Sequence, residues 1–235
     1  MLLADLGGSR LKLARADASS WDAVVERPWP AQPAPDDLSW VRAQRASAEE
    51  PVLLSTTRPA AVSALAELLG ASLSVVEPDQ VPLAKVTTGT GSDRLLAGLA
   101  AHRLADGACL VVDLGTAWTL DVIAATPCFL GGVIGPGLGV QTQALAQACP
   151  HLDAPGESTG LIPRSTAAAV RAGTLESLAA AIDSMAARYA AELDRAPERF
   201  LTGGDADALT PLLGAAWQRV DHLVLRGLAY MAQER

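Results

Sequence analysis

The chain has 235 residues, half of them apolar and only 19% charged, enough for a substantial core and too apolar for wholesale disorder. A formal net charge of −8 offers no basic surface to nucleic acid or an anionic membrane, so any phosphate has to be held locally, by backbone N–H groups, a few cations and metal. Three cysteines, Cys109, Cys128 and Cys149, show no metal-ligand spacing, and their odd number argues for reduced thiols in a cytoplasmic protein.

Residues 2–5 read as a short apolar strand ending on Asp5 and followed by Gly7-Gly8, with a carboxylate where a signal peptide would be apolar. Residues 10–16 alternate polar and apolar side chains, as the returning strand of a hairpin does, and residues 21–29 supply a third strand. Four prolines between 28 and 35 mark a loop, after which Asp36-Asp37 cap a helix running to about residue 48. A buried strand at 52–55, a helix at 59–69 ended by Gly70 and a strand at 73–76 follow. A loop rich in Thr, Gly and Ser then leads to a helix over 93–105.

The pattern restarts with strands at 109–113, 119–125 and 129–134. Helices are expected at 138–148, 165–189, 205–213 and 222–233, with a strand at 200–202. Residues 122–150 carry no Asp, Glu, Lys or Arg, but their glycines and prolines suit turns around a ligand rather than a membrane span. Strands and helices mixed twice over imply two α/β lobes, residues 1–107 and 108–235.

An internal repeat supports the duplication. Residues 2–9, with Asp5-Leu6-Gly7, align with residues 110–117, with Asp113-Leu114-Gly115, each an apolar strand, an Asp, a Gly turn and a second strand. Such a strand delivers its carboxylate to the end of a sheet, and the turn N–H groups can hold phosphate oxygens. Two carboxylates facing one phosphate need an intervening cation. Ser9 and Lys12 add a hydroxyl and a cation to the first copy, and Thr116 and Thr119 add hydroxyls to the second.

Gly91-Ser92-Asp93-Arg94 stands at the entry to a predicted helix. A carboxylate is favoured there, whereas Arg94 is on the wrong end of the helix dipole and needs another partner. A fork-shaped guanidinium beside a helix N-terminus suits a substrate carboxylate, and Asp93 can take the proton of an attacking hydroxyl. An ordinary capping Asp beside an exposed Arg is the competing reading. His102, His151 and His222 are too scattered to suggest ligation.

Taken together the motifs resemble type III pantothenate kinase, from Leu2 to about Leu228 and in that family's order. The phosphate motifs are Asp5-Leu6-Gly7-Gly8-Ser9-Arg10-Leu11-Lys12 and the more specific Asp113-Leu114-Gly115-Thr116-Ala117-Trp118-Thr119-Leu120-Asp121; Gly91-Ser92-Asp93-Arg94 looks like the substrate motif. The runs 129–137 and 202–205, Ser165-Thr166 and residues 223–228 continue the match. The resemblance implies a two-lobed actin-like ATPase (ribonuclease H-like) fold with an interlobe active site, and ATP-dependent phosphorylation of pantothenate to 4′-phosphopantothenate. It implies ATP binding by Asp5, Leu6, Gly7, Gly8, Ser9, Arg10, Leu11, Lys12 and Thr116, with magnesium accompanying ATP. It places a monovalent cation, potassium or ammonium, at Asp113, pantothenate on Gly91, Ser92, Asp93, Arg94 and Thr166, and the base at Asp93. It also implies a homodimer. The sequence departs from the family pattern at Gly8-Ser9, where Asn-Thr is usual, and at Ala84, Thr87 and Thr90, where Tyr, Pro and Leu are usual. A homologue with an altered acceptor, or an idle one in an accessory role, is the alternative.

Overall fold

In the computed structural model, which describes residues 1–15, 24–157 and 160–233, the opening apolar run is a five-residue strand, β1 (Leu2–Leu6). It pairs antiparallel with β2 (Arg10–Arg15), which pairs in turn with β3 (Val25–Pro28); residues 21–23 of the predicted third strand lie outside the described residues. After α1 (Pro35–Ala43), β4 (Val52–Thr56) returns parallel to β1. A 3₁₀ turn at Pro59–Ala61 leads into α2 (Val62–Leu69), and β5 (Leu73–Val75) completes the order β3-β2-β1-β4-β5. Next come β6 (Ala84–Lys85) and α3 (Ser92–Ala105).

Helix α1 is shorter than expected, and its start is built differently. Ala34 is the N-cap residue, and its N–H donates to Asp37 Oδ2 at 2.8 Å. The chain then turns around Glu50, which is only 8% exposed. Its carboxylate accepts from Arg15 Nε at 3.0 Å, Arg15 Nη2 at 3.3 Å and the Ala46 N–H at 2.6 Å. Burial works to raise the Glu50 pKa, but the Arg15 and Ala46 hydrogen bonds and the Arg15 charge outweigh it and leave the carboxyl below its ordinary value. A depressed folded pKa gives stability that is present above the unfolded pKa and lost as pH falls through the folded one. Glu50→Gln is therefore expected to lose about 1–3 kcal/mol at pH 7, a deficit that shrinks below about pH 4. Urea melts at both pH values check this, and a pH-independent deficit would contradict it.

The second unit repeats the plan. Strand β7 (Cys109–Leu114) pairs antiparallel with β8 (Ala117–Ile123), and β9 (Cys128–Pro136) lies beside β8. Helix α4 (Leu138–Ala148) follows, then α5 (Thr166–Arg171) and α6 (Ser177–Ala190). The single helix expected over 165–189 is interrupted by a π-turn at Ala172–Glu176, where Thr174 Oγ1 donates to the Val170 carbonyl at 2.8 Å. Strand β10 (Glu198–Thr202) runs parallel to β7, and β11 (Trp217–Arg219) parallel to β10. Between them the expected helix is only α7 (Ala206–Leu209) and a 3₁₀ turn. The order β9-β8-β7-β10-β11 matches β3-β2-β1-β4-β5 strand for strand, so the sequence repeat reports a repeated topology.

Helix α8 (Leu223–Gln233) returns to the first unit, which comprises residues 1–104, 127–129 and 222–235; residues 105–126 and 130–221 form the second. The chain thus passes between these units several times. Each unit has its own core. Leu2, Ala4 and Leu6 of β1 pack with Leu54, Val41 and Leu65, and Leu110, Val112 and Leu114 of β7 pack with Leu120, Ile182 and Leu201. Because strand side chains alternate, Asp5 and Asp113 are carried on the opposite faces of their strands from these clusters. Among the described residues no helix is long and apolar enough to cross a membrane.

Candidate active site

The first hairpin places its residues by register. Asp5 is paired with Lys12 on β2 and with Ser55 on β4, and the Gly7 N–H closes the turn onto the Arg10 carbonyl at 3.0 Å. Leu6 and Leu11 are fully buried, so they offer a ligand backbone only. Gly8, Ser9 and Arg10 are exposed at the turn. Arg10 Nη1 donates to Glu26 Oε1 at 2.7 Å, an exposed pair that contributes little by itself.

Ser55 links this hairpin to the predicted substrate motif. Its hydroxyl lies 3.5 Å from that of Ser92, the buried first residue of α3. Asp93 follows, half-buried in the first turn. Burial raises its pKa; the backbone N–H groups of Arg94 and Asp93 and the Arg94 charge oppose the shift without cancelling it. Arg94 finds the partner that its helix position called for: its Cζ lies 5.4 Å from the centroid of the Phe129 ring. The preceding loop is closed by Thr87 and Thr90, whose hydroxyls are 2.6 Å apart.

In the second unit, Asp113 is paired in register with Thr119, and the Gly115 N–H closes the turn onto the Ala117 carbonyl at 3.1 Å. Thr116 is exposed at its tip. The Thr119 hydroxyl donates to Asp121 Oδ2 at 3.2 Å, and Asp121 is only 1% exposed. Gly137 seats the turn from behind: its N–H donates to the Thr116 carbonyl at 2.9 Å, and a Cβ there would lie 2.0 Å from the Gly115 carbonyl oxygen. The loop after β10 reaches the same strand end through the Asp205 N–H, which donates to the Leu114 carbonyl at 3.0 Å. Burial raises the Asp205 pKa. Thr166 is exposed at the first residue of α5, behind the capping Ser165 hydroxyl that accepts from the Ala168 N–H at 3.2 Å.

The first unit therefore joins the Asp5–Lys12 hairpin to Ser92 and Asp93, and the second gathers Asp113, Thr116, Gly137 and Asp205 at one sheet end. Thr166 stands on a different element from that group. Sequence reasoning gave no role to Ser55, Phe129 or Asp121. Asp121 was visible as the end of the second motif, whereas Ser55 was only a polar residue closing an apolar run. Among the described residues no three His, Cys, Asp or Glu side chains form a metal-holding group. The carboxylate of Asp113 and the hydroxyl of Thr119 are hard oxygen donors, which fit a cation whose coordination phosphate oxygens would complete.

Comparison with known proteins bears on these motifs. The family model described as Type III pantothenate kinase matches residues 1–188. A protein of that name from Alkalilimnicola ehrlichii is 35% identical over 99% of this chain and 98% of its own length. One from Nitrosospira multiformis is 42% identical over 61% of this chain. That alignment spans 55% of the Nitrosospira protein, and the one with a 42% identical Chromobacterium violaceum relative spans 62% of that protein. Among solved structures, a Campylobacter jejuni protein described as a Baf family transcriptional activator superposes with a TM-score of 0.70, at 20% identity over 100% of this chain and 98% of its own. Component A of (R)-2-hydroxyglutaryl-CoA dehydratase from Acidaminococcus fermentans gives 0.56, at 12% identity over 100% and 96%. The fold is that of the actin-like ATPases, with mixed α/β sheets in both units.

Proposed function

The chain belongs to the type III pantothenate kinase family, and on that premise we propose that it transfers a phosphoryl group from ATP to the primary hydroxyl of pantothenate. The product is 4′-phosphopantothenate, the first intermediate of coenzyme A synthesis. The observation that supports this reading most is the half-buried carboxylate of Asp93 in the first turn of α3, beside Arg94 and linked through Ser92 and Ser55 to the Asp5 hairpin. Asp93 accepts the proton of the pantothenate hydroxyl as it attacks, and Arg94 receives the carboxylate at the other end of the acceptor. The turns at residues 7–10 and 115–117 present backbone N–H groups and the Ser9 and Thr116 hydroxyls to the ATP phosphates, Lys12 adds positive charge, and magnesium accompanies the nucleotide. Thr166 completes the pantothenate site.

Asp113 carries a monovalent cation, potassium or ammonium. The two hairpins support this through their difference: register sets a lysine opposite Asp5 and a neutral threonine opposite Asp113. The protein works as a homodimer in the cytoplasm. Helix α4 supports dimerisation because none of its residues is fully buried, and Ile134 near the end of β9 and Val140 in α4 are exposed apolar side chains.

The test is ADP release with ATP and magnesium, with and without pantothenate, in potassium, ammonium and sodium buffers. Pantothenate-dependent release, at least about tenfold faster in potassium or ammonium than in sodium, is expected. Release that ignores pantothenate would remove the assigned acceptor. Equal rates in all three buffers would remove the monovalent cation from Asp113.

A further inference from the structure

We propose that Phe129 is a positioning residue for the acceptor's carboxylate: its buried ring holds the Arg94 guanidinium in the plane from which that carboxylate is gripped. The inference rests on the reading of Arg94 given above and deepens it. Phe129 is 0% exposed, and its ring centroid lies 5.4 Å from Arg94 Cζ. An arginine in the first turn of a helix faces the unfavourable end of the dipole, and the negative face of an aromatic ring offsets that. The guanidinium's five N–H donors lie in its plane, so a contact through the ring face consumes none of them. A ring is thus suited to orient an arginine whose donors must still meet a carboxylate in bidentate geometry.

The backbone of the same residue anchors the loop in which this chain departs from its family. Strand β6 is paired with the start of β9, Lys85 against Phe129, and the Val86 N–H donates to the Phe129 carbonyl at 3.2 Å. The Ala84 N–H likewise donates to the Pro127 carbonyl at 3.2 Å. The paired hydroxyls of Thr87 and Thr90 close the loop, and Thr90, 7% exposed, leads directly into Gly91 and the substrate motif. The departures at Ala84, Thr87 and Thr90 therefore fall on a segment fixed to the residue that orients Arg94. Every residue in this arrangement belongs to the first unit.

The experiment compares pantothenate with pantothenol, its analogue carrying an alcohol in place of the carboxylate, by kcat/KM. Phe129→Leu is expected to reduce the preference for pantothenate about 5–30-fold, with the KM for ATP within about twofold of the parent. Phe129→Tyr, which keeps the ring, restores most of the preference. Leu65→Val, an equally buried change in the same unit, leaves the ratio alone. If Phe129→Leu fails to fold, Phe129→Met keeps much of the volume without the ring and reads the same ratio. An unchanged ratio in the ring-less variants overturns the proposal. Arg94→Lys tells the two levels apart: if it lowers the ratio while Phe129→Leu does not, only the role of Phe129 fails. If it too leaves the ratio unchanged, the carboxylate reading fails with it.

Discussion

Replacing Asp93 by Asn is expected to lower turnover about 10²–10⁴-fold while leaving the KM for ATP nearly unchanged, since Asp93 is the proposed general base and losing a base affects the transition state far more than nucleotide binding. The environment of Asp93 also fixes a sign for the pH dependence. Burial lifts its pKa above the ordinary carboxylate value, against the hydrogen bonds and charge of Arg94. The proposed base is active when ionised, so kcat/KM for pantothenate should fall on the acid side through a limb lying above the ordinary carboxylate range. For stability the sign is opposite to that of Glu50. A carboxyl with a raised folded pKa contributes stability below its unfolded pKa, and this is lost as pH rises through the folded pKa. At neutral pH the Asn variant removes a partly desolvated charge and should melt at the parent temperature or above it. A dead enzyme with an undiminished melting temperature would confirm the assignment. Retained turnover in a folded variant would remove Asp93 as the base.

Gly203→Ala is expected to cost about 3–5 kcal/mol of stability, the range of a severe single substitution. Gly203 has φ of +102°, a conformation open to glycine and strained for any other residue. A Cβ there would also lie 2.4 Å from both the nitrogen and the carbonyl oxygen of Leu114. These are backbone atoms of a central strand, so no rotamer change relieves the overlap. Leu114 follows Asp113, and its carbonyl receives the Asp205 N–H, so the disturbance reaches the turn proposed to hold phosphate in the second unit. Urea denaturation should show a much lower midpoint at unchanged slope, and any folded fraction should need more ATP for half-maximal rate. A variant as stable as the parent would show that the loop after β10 can move away from β7.

The two Asp-x-Gly hairpins were legible because their physical requirement is local: an apolar strand, a carboxylate at its end and a turn that glycine permits. The same holds for the entry to α3, where helix-end electrostatics made Arg94 conspicuous before any partner was known. Helix α1 was overestimated because its end is set by Glu50 gathering Arg15 and Ala46, a contact between distant segments that no propensity encodes. Strands β6 and β11 escaped notice since two or three residues show no period, and they exist only through the partners beside them.

By itself the sequence determined the duplicated strand–Asp–Gly hairpins, the motif that opens α3 and the resemblance to a kinase family, all of which depend on residues close together along the chain. Tertiary structure alone decided that Ser55 joins Asp5 to Ser92, that Phe129 faces Arg94, and that Gly137 and Gly203 lie against residues 114–116 at the end of β7. Those pairings join residues from 21 to 89 positions apart, and strand register and helix packing, not local pattern, bring such residues together.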